Sequence, residues 1–174
     1  NARVRALRPV IDPDYTYGKI TTQVEFFCPN PCYFSYNQQT ATLTYSPPTG
    51  RIYNRIYNLI YGGGSTLITT SVTNNGWANT YPTITLNGPI TNPVLGSTTQ
   101  NASLEFNVTL SSTDYLVVDL YNKLITLNGQ PARNLLIEGT WFWAQPGNND
   151  FYLTGVDTLA GTTQATVTWN SAYV

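Results

Sequence analysis

Histidine is absent from this 174-residue chain, and that absence limits its chemistry. The commonest general base is gone, and with it the Ser-His and Cys-His nucleophile pairs and most zinc sites. Acid–base work would fall to carboxylates. Glu105 and Asp119 lie on consecutive expected strands and could approach each other as a glycoside-hydrolysing pair must. Strand alternation and a strand end also turn both toward solvent, so a surface role is the stronger reading. Asp114, Asp119, Asp150 and Asp157 carry the oxygen ligands that calcium prefers, yet no recognisable calcium loop frames them. No catalytic residue, cofactor or metal is expected.

Two further constellations could act without proton transfer. Cys28 and Cys32 flank Pro-Asn-Pro. Two thiols cannot close a zinc site without histidine; a disulfide over so short a loop and a pair of free buried thiols are both open readings. The chain also has 4 tryptophans and 13 tyrosines, enough to build a sugar-stacking platform. Trp77, Trp141 and Trp143 are the candidate carbohydrate contacts, the last two on one face of an expected strand. The competing reading, that tryptophans in apolar strands pack a core, is the stronger.

The elements that would hold these residues are short strands. Residues 116–155 organise the chain: an apolar strand at 116–118, a turn at 121–123, a return strand at 124–127, then Asn128-Gly129, which suits the positive φ angles of a tight turn. Trp141-Phe142-Trp143 follows as an expected aromatic strand, then a Pro146-Gly147 turn and Phe151-Tyr152-Leu153. No helical period survives there. Further strands are expected at 19–27, 33–36, 40–45, 66–73, 83–86, 90–95, 103–110 and 164–169, and the later ones recur at the spacing of a sandwich. Residues 103–110 and 164–169 alternate apolar and polar side chains, as half-buried antiparallel strands do. The segment 51–61, RIYNRIYNLIY, reads as extended because it follows Pro-Pro and precedes three glycines. That glycine run is the best candidate boundary. It divides the chain into a partial β domain at 1–61 and an antiparallel β-sandwich at 62–174, so the fold class is all-β.

Composition narrows the function classes. Charged residues make up only 10% of the chain and the net charge is -1, which leaves no electrostatic footprint for nucleic acid or an anionic membrane. Arg3, Arg5 and Arg8 read as a solvated basic face. No apolar run reaches the length of a membrane helix. With solubility resting on Asn, Thr, Ser and Gln, the composition suits an assembled or extracellular surface. The first segment reads like the middle of a domain, which favours a piece cut from a longer chain.

Several stretches together carry a resemblance. TITLNGPITNPVL at 83–95, LEFNVTL at 104–110, YLVVDLYNKLITLNG at 115–129, WFWAQPG at 141–147 and ATVTWNSAYV at 165–174 resemble the C-terminal domain of siphophage distal tail proteins, in the form called minor tail proteins in phages of actinobacteria. VEFFCPNPCYF at 24–34 is similar to the end of their N-terminal domain, with Asn30 where that family's apolar-Pro-Asp-Pro-aromatic loop has Asp. The resemblance implies a galectin-like or jelly-roll-like outer sandwich, preceded by the last part of an N-terminal ring (belt) domain. It implies a hexameric ring in the intact protein, tail-tube and tail-tip hub proteins as partners, and a place in the virion at the tail tip. It transfers no catalytic residue. Contact with a host cell-wall glycan, or a carbohydrate-binding module using exposed tryptophans, is the alternative reading.

Overall fold

Runs of β-branched and aromatic residues broken every few positions by Gly, Pro or Asn leave no window long enough for a helix, and the chain folds accordingly. The computed structural model describes residues 3–10, 13–27, 31–46, 67–156 and 163–174. Their strands are β1 (Arg3–Val10), β2 (Thr21–Phe27), β3 (Tyr33–Phe34), β4 (Gln39–Ser46), β5 (Thr69–Asn74), β6 (Thr83–Asn87), β7 (Ile90–Ser97) and β8 (Ala102–Phe106). They continue with β9 (Thr109–Leu110), β10 (Tyr115–Asp119), β11 (Leu124–Leu127), β12 (Gln130–Pro131), β13 (Leu136–Gly139), β14 (Gly147–Val156), β15 (Gln164–Trp169) and β16 (Ala172–Tyr173). Two short 3-10 turns, Pro13–Tyr17 and Arg133–Leu135, are the only helical segments among the described residues.

The described chain forms two compact units, Asn1–Tyr33 with Val174, and Phe34–Tyr173. In the first, β1 and β2 make an antiparallel ribbon. In the second, one layer runs β12-β11-β10-β6-β15-β4; the other runs β14-β7-β8-β13, with β5 added to β14 and β9 to β7. The layers join where β4 runs parallel to β14, Tyr45 beside Leu153 and Ser46 beside Thr154. This is an all-β, sandwich-like fold curled from one continuous sheet. β4 lies within the stretch assigned above to the first domain, yet it pairs with β15 from Gln39–Trp169 to Thr44–Gln164 and buries Leu43. Backbone hydrogen bonding thus carries 39–46 into the sandwich. The glycine run at 62–64 and the repeat at 51–61 lie outside the described residues.

Between the layers sits a single apolar core. Ile84, Leu86, Leu116, Val118, Ile125, Ala165 and Val167 come from one side; Val72, Ile90, Leu95, Leu104, Phe106, Phe151 and Leu153 come from the other. The period-2 alternation of 164–169 holds throughout β15, with Ala165, Val167 and Trp169 buried. The expected strand at 103–110 is interrupted. Leu104, Phe106 and Leu110 are buried, but the Asn107 amide leaves the ladder to donate to Leu135 O at 2.8 Å, and Val108 O accepts from Asn92 N at 2.8 Å. Those two bonds split it into β8 and β9. The expected strand at 141–143 is not one: the segment lies outside any ladder, and an isolated bridge joins the next residue, Ala144, to Thr80. Only Phe142 of the three aromatics is fully buried, 5.2 Å from Phe151 in an edge-to-face pair.

The turn at Asn128-Gly129 is the tight one anticipated. Both residues have positive φ, +50° and +79°, and Leu127 pairs with Gln130 across them. Two buried asparagines brace longer loops. Asn74 Nδ2 donates to Ala78 O and Ala144 O, while its Oδ1 accepts from the amides of Gly76 and Ala172. Asn149 closes the 145–149 loop in the same way.

Candidate functional site

The catalytic candidates are not brought together. Glu105 stands on β8 in one layer, opposite Val94 and Glu138. Asp119 ends β10 in the other layer, where Oδ1 accepts the amides of Tyr121 at 2.9 Å and Asn122 at 3.0 Å, and Oδ2 accepts Asn122 Nδ2 at 2.7 Å. Asp119 is thus the cap of the turn that starts the β10–β11 hairpin. Of the calcium candidates, Asp114, Asp119 and Asp150 are dispersed, and Asp157 lies outside the described residues; no group of three or more His, Cys, Asp or Glu gathers among those described. Cys28 also lies outside them, and Cys32 is half-buried.

Asp114 has a structural role of its own. Its Oδ2 accepts from Ser111 Oγ at 2.6 Å and Ser111 N at 2.8 Å, and its Oδ1 accepts from Asn128 Nδ2 at 2.8 Å. Asn128 Oδ1 accepts in turn from Tyr115 N. The Ser111 hydroxyl first, then the Asn128 amide and the Ser111 backbone, hold the Asp114 carboxyl below the ordinary carboxylate range. A carboxylate with a depressed folded-state value stabilises the fold above its unfolded value, about pH 4, and loses that contribution as pH falls through the folded value. Wild type is therefore expected to lose stability on acidification through this window more steeply than Asp114→Asn. Matched urea titrations between pH 7 and pH 3 check it; parallel curves would show that the knot is not sensed.

The tryptophans separate into different environments. Trp169 is buried, its Nε1 donating to Thr73 O at 2.9 Å. Trp141 is half-buried with the Arg133 guanidinium 4.9 Å from its ring centre. Trp143 is half-buried against Tyr81, which also meets Tyr121 edge-on. Trp77 is 78% exposed and touches Tyr173 edge-to-face at 6.0 Å. Among the described residues no ring contact joins any two of Trp77, Trp141 and Trp143. Packing takes Trp169 whole and parts of two others, and leaves Trp77 out.

A second exposed surface was not legible as such. On the β1–β2 ribbon, Val4 pairs with Phe26, Leu7 with Val24 and Pro9 with Thr22. Val4 and Leu7 are three residues apart and would fall on opposite faces of a regular strand. A bulge between Val4 and Ala6 restores them to one side. That side is apolar and exposed: Val4 58%, Leu7 64%, Val24 40%, Phe26 65%. Arg5 and Glu25 form an exposed ion pair at 3.2 Å, of little energetic weight in open solvent. An alternation count reads RVRALRPV as patternless; the only available signal was the odd spacing itself.

The described residues of the second unit form a two-layer β-sandwich with dispersed acids and strands tied by asparagine braces. The chain belongs to the siphovirus-type tail component family: residues 75–173 match the model of that family's C-terminal domain. The family match makes it a component of the virion tail, and does not favour the carbohydrate-binding alternative. A solved structure covers 99% of this chain with a TM-score of 0.68 at 15% identity, the crystal structure of SPP1 Dit (gp 19.1), described as a paradigm of the hub adsorption apparatus in phages infecting Gram-positive hosts. This chain spans 59% of that one. No curated protein matches the sequence.

Proposed function

We propose that this chain is the greater part of a distal tail (hub) protein, which connects the tail tube of a long-tailed phage to its tip complex and has no enzymatic activity. The observation that carries the reading is the family match over 75–173, which spans the sandwich from the end of β5 to β16. The intact protein forms a hexameric ring, and of the stretch read as 1–61 the part that precedes the sandwich unit, before Phe34, belongs to the last part of the ring domain. The open apolar side of the β1–β2 ribbon supports that assignment, because two strands alone cannot shelter such a surface from water. Its partners are other copies of itself and the tube and tip proteins on either side; the sandwich faces outward.

Immunogold electron microscopy of virions with an antibody to residues 67–174 tests it. Gold at the tip end of the tail is expected. Label along the whole tube, or on the capsid, would overturn the hub assignment. For a chain carrying the complete N-terminal domain, light scattering is expected to give a six-fold mass, and a strict monomer would overturn the ring.

A further inference from the structure

Four segments that meet in the sandwich contain no charged residue. Residues 34–46, 67–82, 139–149 and 163–174 contain no Asp, Glu, Lys or Arg, although the chain has 8 basic and 9 acidic residues. Tertiary hydrogen bonds gather these four segments. Ser35 N donates to Ser171 O at 2.8 Å, Ala78 N to Ala172 O at 3.0 Å, Thr80 N to Ala144 O at 2.9 Å, and Asn170 Nδ2 to Ser35 O at 2.8 Å. Exposed aromatics and amides crown them: Trp77 at 78%, Tyr36 at 100%, and the exposed Asn75 and Asn79 on either side of Trp77. Tyr173 meets the indole in an edge-to-face pair, 6.0 Å away with the planes at 78°. With Trp77 78% exposed, most of the ring surface is left open to another molecule. Beside Trp77 the backbone of the turn packs closely on Ala172, since a Cβ on Gly76 would lie 1.7 Å from Ala172 O.

We propose that this surface, centred on Trp77, binds a neutral pyranose-containing polysaccharide. The aliphatic C–H groups on one face of a pyranose carry partial positive charge and settle on the negative face of an aromatic ring. Primary amides and phenol hydroxyls match sugar hydroxyls as both donors and acceptors. An anionic polymer would be met by cations, and the segment that carries Trp77, residues 67–82, contains none. The inference rests on the tail reading only for its source of glycan, the host surface. Binding by the isolated chain does not require a ring, so failure of the ring and failure of this site are separable.

The test is a titration of the 174-residue chain with neutral oligosaccharides (chitotetraose, maltohexaose and a galactan fragment) and with poly(glycerol phosphate). Indole fluorescence and the indole N–H resonances serve as readouts. Saturable binding to a neutral oligosaccharide is expected, with the Trp77 resonance shifted most. Trp77→Ala is expected to weaken it about tenfold or more, the loss typical of removing an aromatic anchor, and Trp77→Phe to retain part of it. Because Trp77 is so exposed, the urea midpoint should hardly move. Were Trp77→Ala to misfold, the wild-type resonance map and Asn79→Ala carry the test. No binding to any neutral oligosaccharide, unchanged binding in Trp77→Ala, shifts confined to other tryptophans, or preference for the phosphate polymer would each overturn the site.

Discussion

Phe151→Ala is expected to destabilise the sandwich by about 3–5 kcal/mol, the range for truncating a fully buried phenylalanine. Phe151 is 0% exposed on β14, between Thr70 of β5 and Ser97 of β7, with the Phe142 ring edge-on against it at 5.2 Å and 79°. Hydrogen-bonded strands on both sides restrict backbone collapse, so much of the cavity should persist. Phe142→Ala should cost a similar amount, and the double variant should cost less than the sum by about 0.5–1.5 kcal/mol, the coupling of an aromatic pair. Urea unfolding with an unchanged slope reads each value. Trp141→Ala is the contrast. That half-buried ring keeps a cation above it, an arrangement worth about 0.5–1 kcal/mol near solvent, and its removal should be much milder. Equal losses for Trp141 and Phe151 would contradict a core centred between the layers.

Asn149→Asp is expected to cost as much although it changes one atom and no volume. The Asn149 amide lies at 0% exposure, and Nδ2 donates to Gln145 O at 2.8 Å, Gly147 O at 3.0 Å and Val72 O at 3.3 Å, while Oδ1 accepts Gln145 N at 2.9 Å. A carboxylate oxygen in the Nδ2 place would face three carbonyl oxygens with no hydrogen to offer. Leaving such a charge unpaired in the interior costs about 3–5 kcal/mol. The sign with pH is opposite to that of Asp114. Burial raises the folded-state value of the introduced acid, so the penalty is full at pH 7 and shrinks as pH falls and the acid protonates. Asn149→Asp should therefore approach wild type on going from pH 7 to pH 4. A variant equally unstable at both values would show that the loop, and not the charge, carries the loss.

The alternating strand at 164–169, the tight turn at Asn128-Gly129 and the lack of histidine were open to inspection in the linear chain. Each depends on neighbours within a few residues: alternation over β15, a dipeptide that tolerates positive φ, a missing side-chain type. Alternation alone also set Leu104, Phe106 and Leu110 inward, but not the break at Asn107, because the carbonyl that draws its amide away belongs to Leu135. The family resemblance was legible in the same stretches, since turns and apolar strands are what that fold repeats.

The all-β class and the low share of charged residues, 10% of the chain, could be read from the linear chain, because composition and short-range periodicity decide which backbone states can be sheltered. Tertiary structure alone decided where the sheltering stops. Strand 39–46 joins the sandwich because β15 offers it hydrogen bonds. The bulge in β1 puts Val4 and Leu7 on one side. Of the four tryptophans, the core found room for Trp169 and left Trp77 in water. Burial is a property of what packs across from a side chain, and that partner is far away in sequence.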